Sequence, residues 1–323
     1  MNVLVTGATG FVGSHVADAL LAKGHRVRVT TRRSSKLAWL DGKNVERVEG
    51  DLRDGRGLDR ACDGIEVVYH VAGVINAPRD EDYRAGNWLA TKNMVEAAIA
   101  AKVRRFIQVS SLAAGGPTAD GRPVTEEMTP KPISIYGKSK LEGELEAMKH
   151  RGEIEVAAVR PPVVYGPRDS GLLDMYKVLT TGVKPQFGAE KFISIVHVTD
   201  LVRGIMACGE QAAAAGECFY VCNQAWHAQG QVMDFILAAL GKKAVGVGIP
   251  DRVVRFLGGV AEDTAKLVGK HSMFNRDKAL EMTQPAWICS PAKAAKVLGW
   301  RAEIEIEAGL RETLAWYRGQ MLL

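Results

Sequence analysis

The chain has 323 residues, of which 47% are apolar and 24% charged, and its formal net charge is +5. This composition is typical of a globular protein and argues against a disordered chain. The length predicts two domains or one large α/β unit. Basic residues are scattered, and Arg32 and Arg33 form the one notable pair in the first half, so we expect no nucleic-acid surface.

The start of the chain runs directly into a strand pattern, with no charged leader and no cleavable apolar segment. No apolar run approaches the roughly 20 residues that a membrane span needs. We therefore expect a cytoplasmic protein without a membrane span. Five cysteines are too few for a disulfide framework, and Cys218 and Cys222 do not have a common zinc spacing, so no metal site is predicted.

Short β-branched runs alternate with longer helical patterns in the first half, which is typical of βαβ units. The predicted strands are Val3–Thr6, Val27–Thr31, Val45–Glu49, Val67–His70, Arg105–Val109 and Val156–Arg160. Helices are predicted between them, including Val12–Lys23 and Trp88–Lys102. The expected fold class is α/β, a Rossmann doubly wound parallel sheet.

The character of the sequence changes after Arg160, where prolines and glycine come together. We predict a dinucleotide-binding Rossmann domain over residues 1–165 and a smaller α/β region, mainly substrate-binding, over 166–323. Strand-like runs within 193–224 are expected to complete the sheet.

A glycine-rich turn separates the first strand from the first helix, with glycines at Gly7, Gly10 and Gly13. Glycines let a pyrophosphate approach the backbone, and the helix N-terminus supplies N–H donors and a partial positive charge. The spacing differs from the commonest Gly-x-Gly-x-x-Gly fingerprint, but its place after the first strand predicts a dinucleotide site. The cofactor contacts predicted in this segment are Gly7, Thr9, Gly10, Phe11 and Val12.

The end of the second strand indicates which dinucleotide is preferred. An NAD site usually has an Asp or Glu there, whereas this chain has Thr31 followed by Arg32 and Arg33. Arginine suits a 2′-phosphate because its planar fork donates two hydrogen bonds to phosphate oxygens. We expect NADP(H) in preference to NAD(H). The alternative is that both arginines are solvated loop charges.

Tyr136 and Lys140 lie four residues apart in a helical pattern, so their side chains share one helix face. A nearby ammonium would favour the phenolate of a tyrosine whose ordinary pKa is near 10. The strand Arg105–Val109 ends at Ser110 and Ser111, at the sheet edge where ligands of such folds bind. We predict Ser111, Tyr136 and Lys140 as catalytic residues, with Ser110 as the fallback for Ser111.

In their order along the chain, these motifs resemble the extended short-chain dehydrogenase/reductase family, also called the epimerase/dehydratase superfamily. The resemblance rests on TGATGFVG (6–13), GDLRD (50–54), VYHVAG (68–73), VSS (109–111), YGKSK (136–140) and RPPVVYGP (160–167). It covers essentially the whole chain, since HVTDLVRGI (197–205) and the C-terminal KAAKVLGW also look like that family.

The resemblance assigns further roles. It implies that Asp51 and Leu52 flank the adenine and that Lys140 also holds nicotinamide-ribose hydroxyls. Groove-lining residues near the nicotinamide half would be His70, Ala72, Gly73, Pro161 and Val163. Asn87 falls where the family has a structural asparagine near the active site, although a helix-start cap is an equal alternative.

Departures from the sugar-nucleotide members indicate the reaction. In those members a Val-Tyr-Gly segment commonly comes after the serine, whereas this chain has Ala-Gly-Gly at 114–116. The dehydratases have an acidic pair at the positions where this chain has Leu112 and Ala113. Lys191 is the one cation near the strand where sugar-nucleotide enzymes often carry arginine. The C-terminal region resembles hydroxysteroid-dehydrogenase-like and dihydroflavonol-reductase-like members. We therefore expect an oxidoreductase that transfers hydride between a nicotinamide and a carbonyl or secondary alcohol of a fairly apolar small molecule.

Two rival functions stay open: a nucleotide-sugar epimerase, and an NADP(H)-binding sensor or assembly factor without turnover. The resemblance also allows a homodimer. Segment 244–270 is amphipathic, and its expected role is a helix that packs Val253, Val254, Phe256 and Leu257 into the core. Contact of this segment with a membrane surface or an apolar substrate is the alternative.

Overall fold

The protein is described here by a computed structural model, which describes residues 1–118, 120–267, 272 and 274–323. Its strands are β1 (Asn2–Thr6), β2 (Arg26–Thr31), β3 (Val45–Glu49), β4 (Val67–His70), β5 (Arg105–Val109), β6 (Glu155–Arg160), β7 (Val163–Tyr165), β8 (Val183–Phe187), β9 (Phe192–Ile193), β10 (Ile195–His197), β11 (Cys218–Tyr220), β12 (His227–Ala228), β13 (Val245–Ile249) and β14 (Ala286–Trp287).

Its helices are α1 (Phe11–Ala22), α2 (Leu58–Cys62), α3 (Asp80–Arg84), α4 (Ala90–Ala100), α5 (Leu112–Gly115), α6 (Ile135–Lys149), α7 (Gly171–Thr180), α8 (Val198–Glu210), α9 (Gln229–Leu240), α10 (Asp251–Leu267), α11 (Arg276–Met282), α12 (Ala292–Leu298) and α13 (Ile306–Gly319). A π-helical turn over Ala85–Leu89 joins α3 to α4, and a 3-10 turn over Ala212–Ala214 follows α8.

Seven parallel strands form the central sheet, in the order β11-β6-β5-β4-β1-β2-β3. The strand order reverses at β1, which has β2 on one side and β4 on the other. In such sheets the reversal leaves a crevice beyond the carboxyl ends of the strands, and dinucleotides bind there. The predicted α/β Rossmann fold is confirmed, and each of the six predicted strands begins within one residue of its predicted start.

The apolar run of β1 is explained by burial on both faces of the sheet. Val3 and Val5 pack in one cluster with residues of α1 and α8, whereas Leu4 packs in a second cluster with residues of α2 and α4. Successive side chains of a strand point to opposite faces, so a strand covered by helices on both sides must be apolar throughout. This central strand therefore holds the glycine-rich turn on a rigid support.

Three small sheets lie outside the central one: β10 with β7, β12-β9-β14, and β13 with β8. The C-terminal residues have a core of their own, in which α7, α9 and α13 pack together. From within 193–224, β11 joins the edge of the central sheet beside β6, while β10 pairs with β7 instead. The domain boundary at residue 165 stays a prediction. Among the described residues, no helix combines the length and the apolar character needed to cross a bilayer.

Candidate active site and cofactor groove

The glycine-rich turn packs too closely for side chains. Gly7 has a φ of 73°, and a Cβ on it would lie 2.7 Å from the backbone nitrogen of Ala72. A Cβ on Gly13 would collide with the carbonyl oxygen of Gly7. Gly10 precedes α1 without a side-chain cap. The amides at the start of α1 are therefore available to an anion such as a pyrophosphate.

A groove of about 560 Å³ lies at the carboxyl ends of the central strands. Most of the predicted site residues line it together: Gly7, Thr9, Gly10, Phe11, Val12, Gly13, Arg32, Asp51, Leu52, Ala72, Gly73, Ser111, Tyr136, Lys140 and Pro161. Motifs that are far apart in sequence thus meet in one concave site. Their roles toward a cofactor or substrate stay predictions.

Three predicted cofactor residues do not line this groove. The Arg33 side chain is 88% exposed and forms an ion pair of 2.9 Å with Glu49. Val163 is not part of the groove lining, whereas its neighbours Pro162 and Val164 are. His70 has no exposed surface, and its ring nitrogens are hydrogen-bonded to the hydroxyls of Thr6 and Thr91, at 2.9 and 3.2 Å respectively. Burial lowers the pKa of His70 to about 3, so the imidazole is a neutral structural bridge behind the groove wall.

Helix α6 carries both Tyr136 and Lys140, and Ser134 caps its start by accepting a hydrogen bond of 3.0 Å from the Gly137 amide. The Lys140 ammonium donates a hydrogen bond of 2.7 Å to the carbonyl oxygen of Val109. Burial lowers the pKa of Lys140 to about 8. The ammonium is therefore held at the end of β5, beside the groove.

Tyr136 differs from the expectation of an easily ionised phenol. Burial raises its pKa to about 12, and a hydrogen bond with the Ser111 side chain opposes this rise. Lys140 is bound to Val109 and does not contribute to the pKa of Tyr136 among the chain's own groups. Tyr136 is therefore a protonated phenol at neutral pH.

Ser111 also begins a helix, because its Oγ accepts a hydrogen bond of 3.1 Å from the Ala113 amide at the start of α5. Its own hydroxyl hydrogen stays available for Tyr136 or for a substrate oxygen. Ser110 lines the same groove, and its buried Oγ has no hydrogen-bond partner among the described residues. The geometry thus keeps Ser111 as the first choice and Ser110 as the fallback.

Asn87 lies in the middle of the π-helical turn, so the alternative of a helix-start cap is wrong. Its side-chain oxygen accepts a hydrogen bond of 2.8 Å from the amide of Val74, and its nitrogen donates to the Val74 carbonyl and the Ser139 hydroxyl, at 2.9 and 2.8 Å. Asn87 therefore ties the loop after β4 to α6, the helix that carries Tyr136 and Lys140.

Asp277 of α11 was missed by sequence reasoning. Its carboxylate accepts hydrogen bonds from the amide of Ile135, at 2.9 and 3.0 Å, and a longer one of 3.5 Å from the amide of Tyr136. A negative charge at a helix N-terminus stabilises the helix. Because 142 residues separate Asp277 from Ile135, no local sequence signal indicates the contact.

The Ala-Gly-Gly segment at 114–116 is tightly packed at its two glycines. A Cβ on Gly115 would collide with the hydroxyl of Tyr220, which Arg160 holds at 3.0 Å. Lys191 is only 7% exposed and forms an ion pair of 3.0 Å with Asp251. The Lys191 ammonium is therefore already paired with a carboxylate of the chain itself.

No group of three or more potential metal ligands is found in the described ranges.

Comparison with known proteins agrees with this geometry. The model of the NAD dependent epimerase/dehydratase family matches residues 3–222. A ceramide reductase from Caulobacter vibrioides is 31% identical over 98% of this chain and 94% of its own length. A UDP-glucose 4-epimerase from Vibrio cholerae is 27% identical over 97% of this chain and 94% of its own.

Among solved structures, that of gox2253 superposes with a TM-score of 0.84 at 28% identity, covering 100% of this chain and 99% of that one. The UDP-glucose 4-epimerase of Thermotoga maritima, at 24% identity and a TM-score of 0.82, covers 99% of this chain and 100% of that one and shares the fold. The chain therefore belongs to the NAD-dependent epimerase/dehydratase family and is an enzyme of the extended short-chain dehydrogenase/reductase type.

Proposed function

We propose that this enzyme reduces a ketone, or oxidises the matching secondary alcohol, on a fairly apolar small molecule. The observation that carries the proposal is the meeting of Ser111, Tyr136 and Lys140 in the groove next to Leu112 and Ala113, which offer no further acid or base. One proton donor with a hydroxyl beside it suffices for carbonyl reduction. Dehydration of a sugar would need an additional acid–base pair.

The glycine turn fits a dinucleotide, since its free amides and close backbone packing match what a pyrophosphate needs. A bound nicotinamide would supply or accept the hydride. Gly7, Gly10 and the start of α1 would hold the pyrophosphate, and Lys140 would hold ribose hydroxyls.

The substrate oxygen would be bound by the Ser111 and Tyr136 hydroxyls. With its pKa raised to about 12, Tyr136 holds its proton at neutral pH and donates it to the carbonyl oxygen during reduction. In the oxidative direction, Tyr136 must first lose its proton before its oxygen can accept one from the alcohol, and the raised pKa makes that phenolate form rare at neutral pH. At neutral pH the chain's own groups therefore keep Tyr136 in the protonated form that reduction uses.

Apolar side chains at the groove support an apolar substrate. Val74, Pro162 and Val164 line it, and Ile75 lines it with 79% of its surface exposed. Lys191, the cation nearest to where sugar-nucleotide enzymes often carry arginine, is taken by Asp251. The Caulobacter vibrioides relative is a ceramide reductase, so we extend the proposal to ketones that carry long acyl chains.

NADP(H) is the cofactor that we propose over NAD(H). Arg32 lines the groove beside Thr30 and Ser35 at the end of β2, and it has no ion-pair partner among the residues that the structure describes. An unpaired guanidinium suits a 2′-phosphate. The solvated-charge alternative fits Arg33, which is bound to Glu49.

The direct test is a substrate panel followed by the absorbance of NADPH and NADH. We expect oxidation of NADPH with long-chain and polycyclic ketones, and loss of that activity in Tyr136→Phe. Interconversion of UDP- or GDP-sugars without net use of reduced cofactor would replace the proposal with the epimerase, a function that the Vibrio cholerae relative carries. Tight NADPH binding without turnover of any substrate would favour the sensor or assembly factor.

A small-molecule substrate, the absence of a nucleic-acid partner, a homodimer and a cytoplasmic location stay predictions. Sedimentation of the purified protein would test the dimer. Fractionation of the producing cells would test the location.

A further inference from the structure

Helix α10 exposes an apolar face. Five of its apolar side chains are 37 to 86% exposed, namely Val253, Phe256, Leu257, Val260 and Leu267. Their spacing places them on one side of the helix. The expectation that this segment packs into the core is correct for Val254, which is 2% exposed, and wrong for Val253, Phe256 and Leu257. Residues 268–270, the end of the predicted amphipathic segment, lie outside the described residues.

The strand directly before this helix continues the apolar surface along the chain. In β13, Val245 is 73% and Val247 43% exposed, and the residues between and after them are glycines. Single exposed apolar residues are ordinary, but a set of this size marks a surface that binds something. We call β13 and the exposed face of α10 the apolar surface.

Charges around the apolar surface are unbalanced. Each acidic residue of α10 has a cationic partner: Asp251 pairs with Lys191, Glu262 with Lys266 and Asp263 with Arg276, at 3.0, 2.6 and 2.7 Å.

Two exposed cations beside the apolar residues, Lys243 and Arg252, by contrast have no carboxylate partner in the described part of the chain. A third, Arg255, donates from its Nε to the hydroxyl of Thr283 at 2.9 Å. Free positive charge therefore borders the apolar side chains, which is the pattern of helices that lie in the interface of an anionic bilayer.

We propose that the apolar surface docks on an anionic phospholipid bilayer. Phe256 and Leu267 would enter the boundary between headgroups and acyl chains, while Arg252 and Lys243 would contact lipid phosphates. A second copy of this chain fits less well, because a symmetric contact would bring the unpaired cations of both copies together. This inference does not depend on the proposed reaction.

The test is co-sedimentation of the whole protein with vesicles of phosphatidylcholine alone or mixed with phosphatidylglycerol. We expect binding to the phosphatidylglycerol vesicles that weakens as salt is raised. The double variant Phe256→Gln/Leu257→Gln should lower the partition coefficient roughly tenfold or more, because it removes apolar area without adding charge.

Met321→Gln is the matched control, since Met321 is 91% exposed and lies outside the apolar surface. It should bind vesicles as the unchanged protein does, and thermal melting should show that all variants fold. The double variant Lys243→Gln/Arg252→Gln should weaken binding to the vesicles that contain phosphatidylglycerol and leave binding to pure phosphatidylcholine vesicles unchanged.

Three outcomes would overturn the proposal. One is no binding to vesicles of either composition, and another is equal binding by Phe256→Gln/Leu257→Gln. The third is a lipid-independent dimer that this double variant converts to monomer, which would identify a second copy as the partner.

Discussion

The carboxylate of Asp277 accepts two hydrogen bonds from the backbone amide of Ile135, at 2.9 and 3.0 Å, and so closes the N-terminus of the helix that carries Tyr136 and Lys140. Two residues that are 142 positions apart in the chain are thereby joined at the start of this helix. Asp277 does not itself line the groove, whereas Tyr136 does, so we expect Asp277 to act as a positioning residue through the start of this helix.

Replacing Asp277 tests that role. Asp277→Ala should lower the free energy of unfolding by about 1 to 2 kcal/mol, because the amides at the helix start lose their acceptor. It should lower kcat up to about tenfold through displacement of Tyr136. Asp277→Asn keeps a hydrogen-bond acceptor, so its free energy of unfolding and its kcat should both fall less than those of Asp277→Ala. Urea unfolding and steady-state kinetics measure the two effects, and an unchanged kcat in a measurably destabilised Asp277→Ala would limit the residue to a purely structural role.

Removing the hydroxyl of Tyr136 should separate proton transfer from cofactor binding. We expect Tyr136→Phe to reduce kcat by roughly 10² to 10⁴, the usual contribution of a general acid. NADPH affinity should change little, because the glycine turn remains intact. Tyr176→Phe is a suitable control, since its buried hydroxyl donates to the Leu310 carbonyl outside the groove. Undiminished turnover in Tyr136→Phe would remove Tyr136 from the mechanism.

Arg32 and Arg33 form a matched pair for testing cofactor preference, because one lines the groove and the other is bound to Glu49. Arg32→Glu should raise KM for NADPH by roughly tenfold to a hundredfold, since a charge-assisted hydrogen bond to the 2′-phosphate is lost. KM for NADH should change far less. Arg33→Glu should leave both constants nearly unchanged. Equal effects of Arg32→Glu on the two cofactors would contradict the NADP(H) preference.

The sequence predicts the Rossmann sheet well because its strands are short runs rich in β-branched residues between polar turns, which is local information. It also places the groove, because the motifs stand at the carboxyl ends of strands and such ends converge in a parallel sheet. Glycine spacing and the one-turn separation of Tyr136 and Lys140 are likewise local features. These are the parts of the site that sequence reasoning placed in the groove.

The predicted residues that lie outside the groove, and the contacts that sequence reasoning missed, depend on relationships between distant residues. The resemblance implied Val163, whereas Val164 lines the groove, and which side chains of a strand face the groove is not visible in the motif. The pairing of Arg33 with Glu49 depends on the register of β2 and β3. The burial of His70 between two threonines depends on α4 packing against the sheet. Local patterns carry none of these relationships.

The lowered pKa of Lys140 predicts how cofactor binding varies with pH. Below about pH 8 the ammonium is charged and can donate to ribose hydroxyls, and above it the side chain becomes neutral. Affinity for NADPH should therefore fall as pH rises through this range, by roughly tenfold if one charge-assisted hydrogen bond is weakened. Calorimetric titration across the range measures the step. Lys140→Met should bind weakly with no step, because its side chain does not titrate. A step that persists in Lys140→Met would assign the titration to another group.

The stability of the protein should change with pH in the opposite direction to its affinity for NADPH. Because burial disfavours the charged form of Lys140, the folded protein loses this proton near pH 8, whereas the unfolded chain keeps it up to the ordinary lysine pKa near 10.4. The free energy of unfolding should therefore rise between these two pH values.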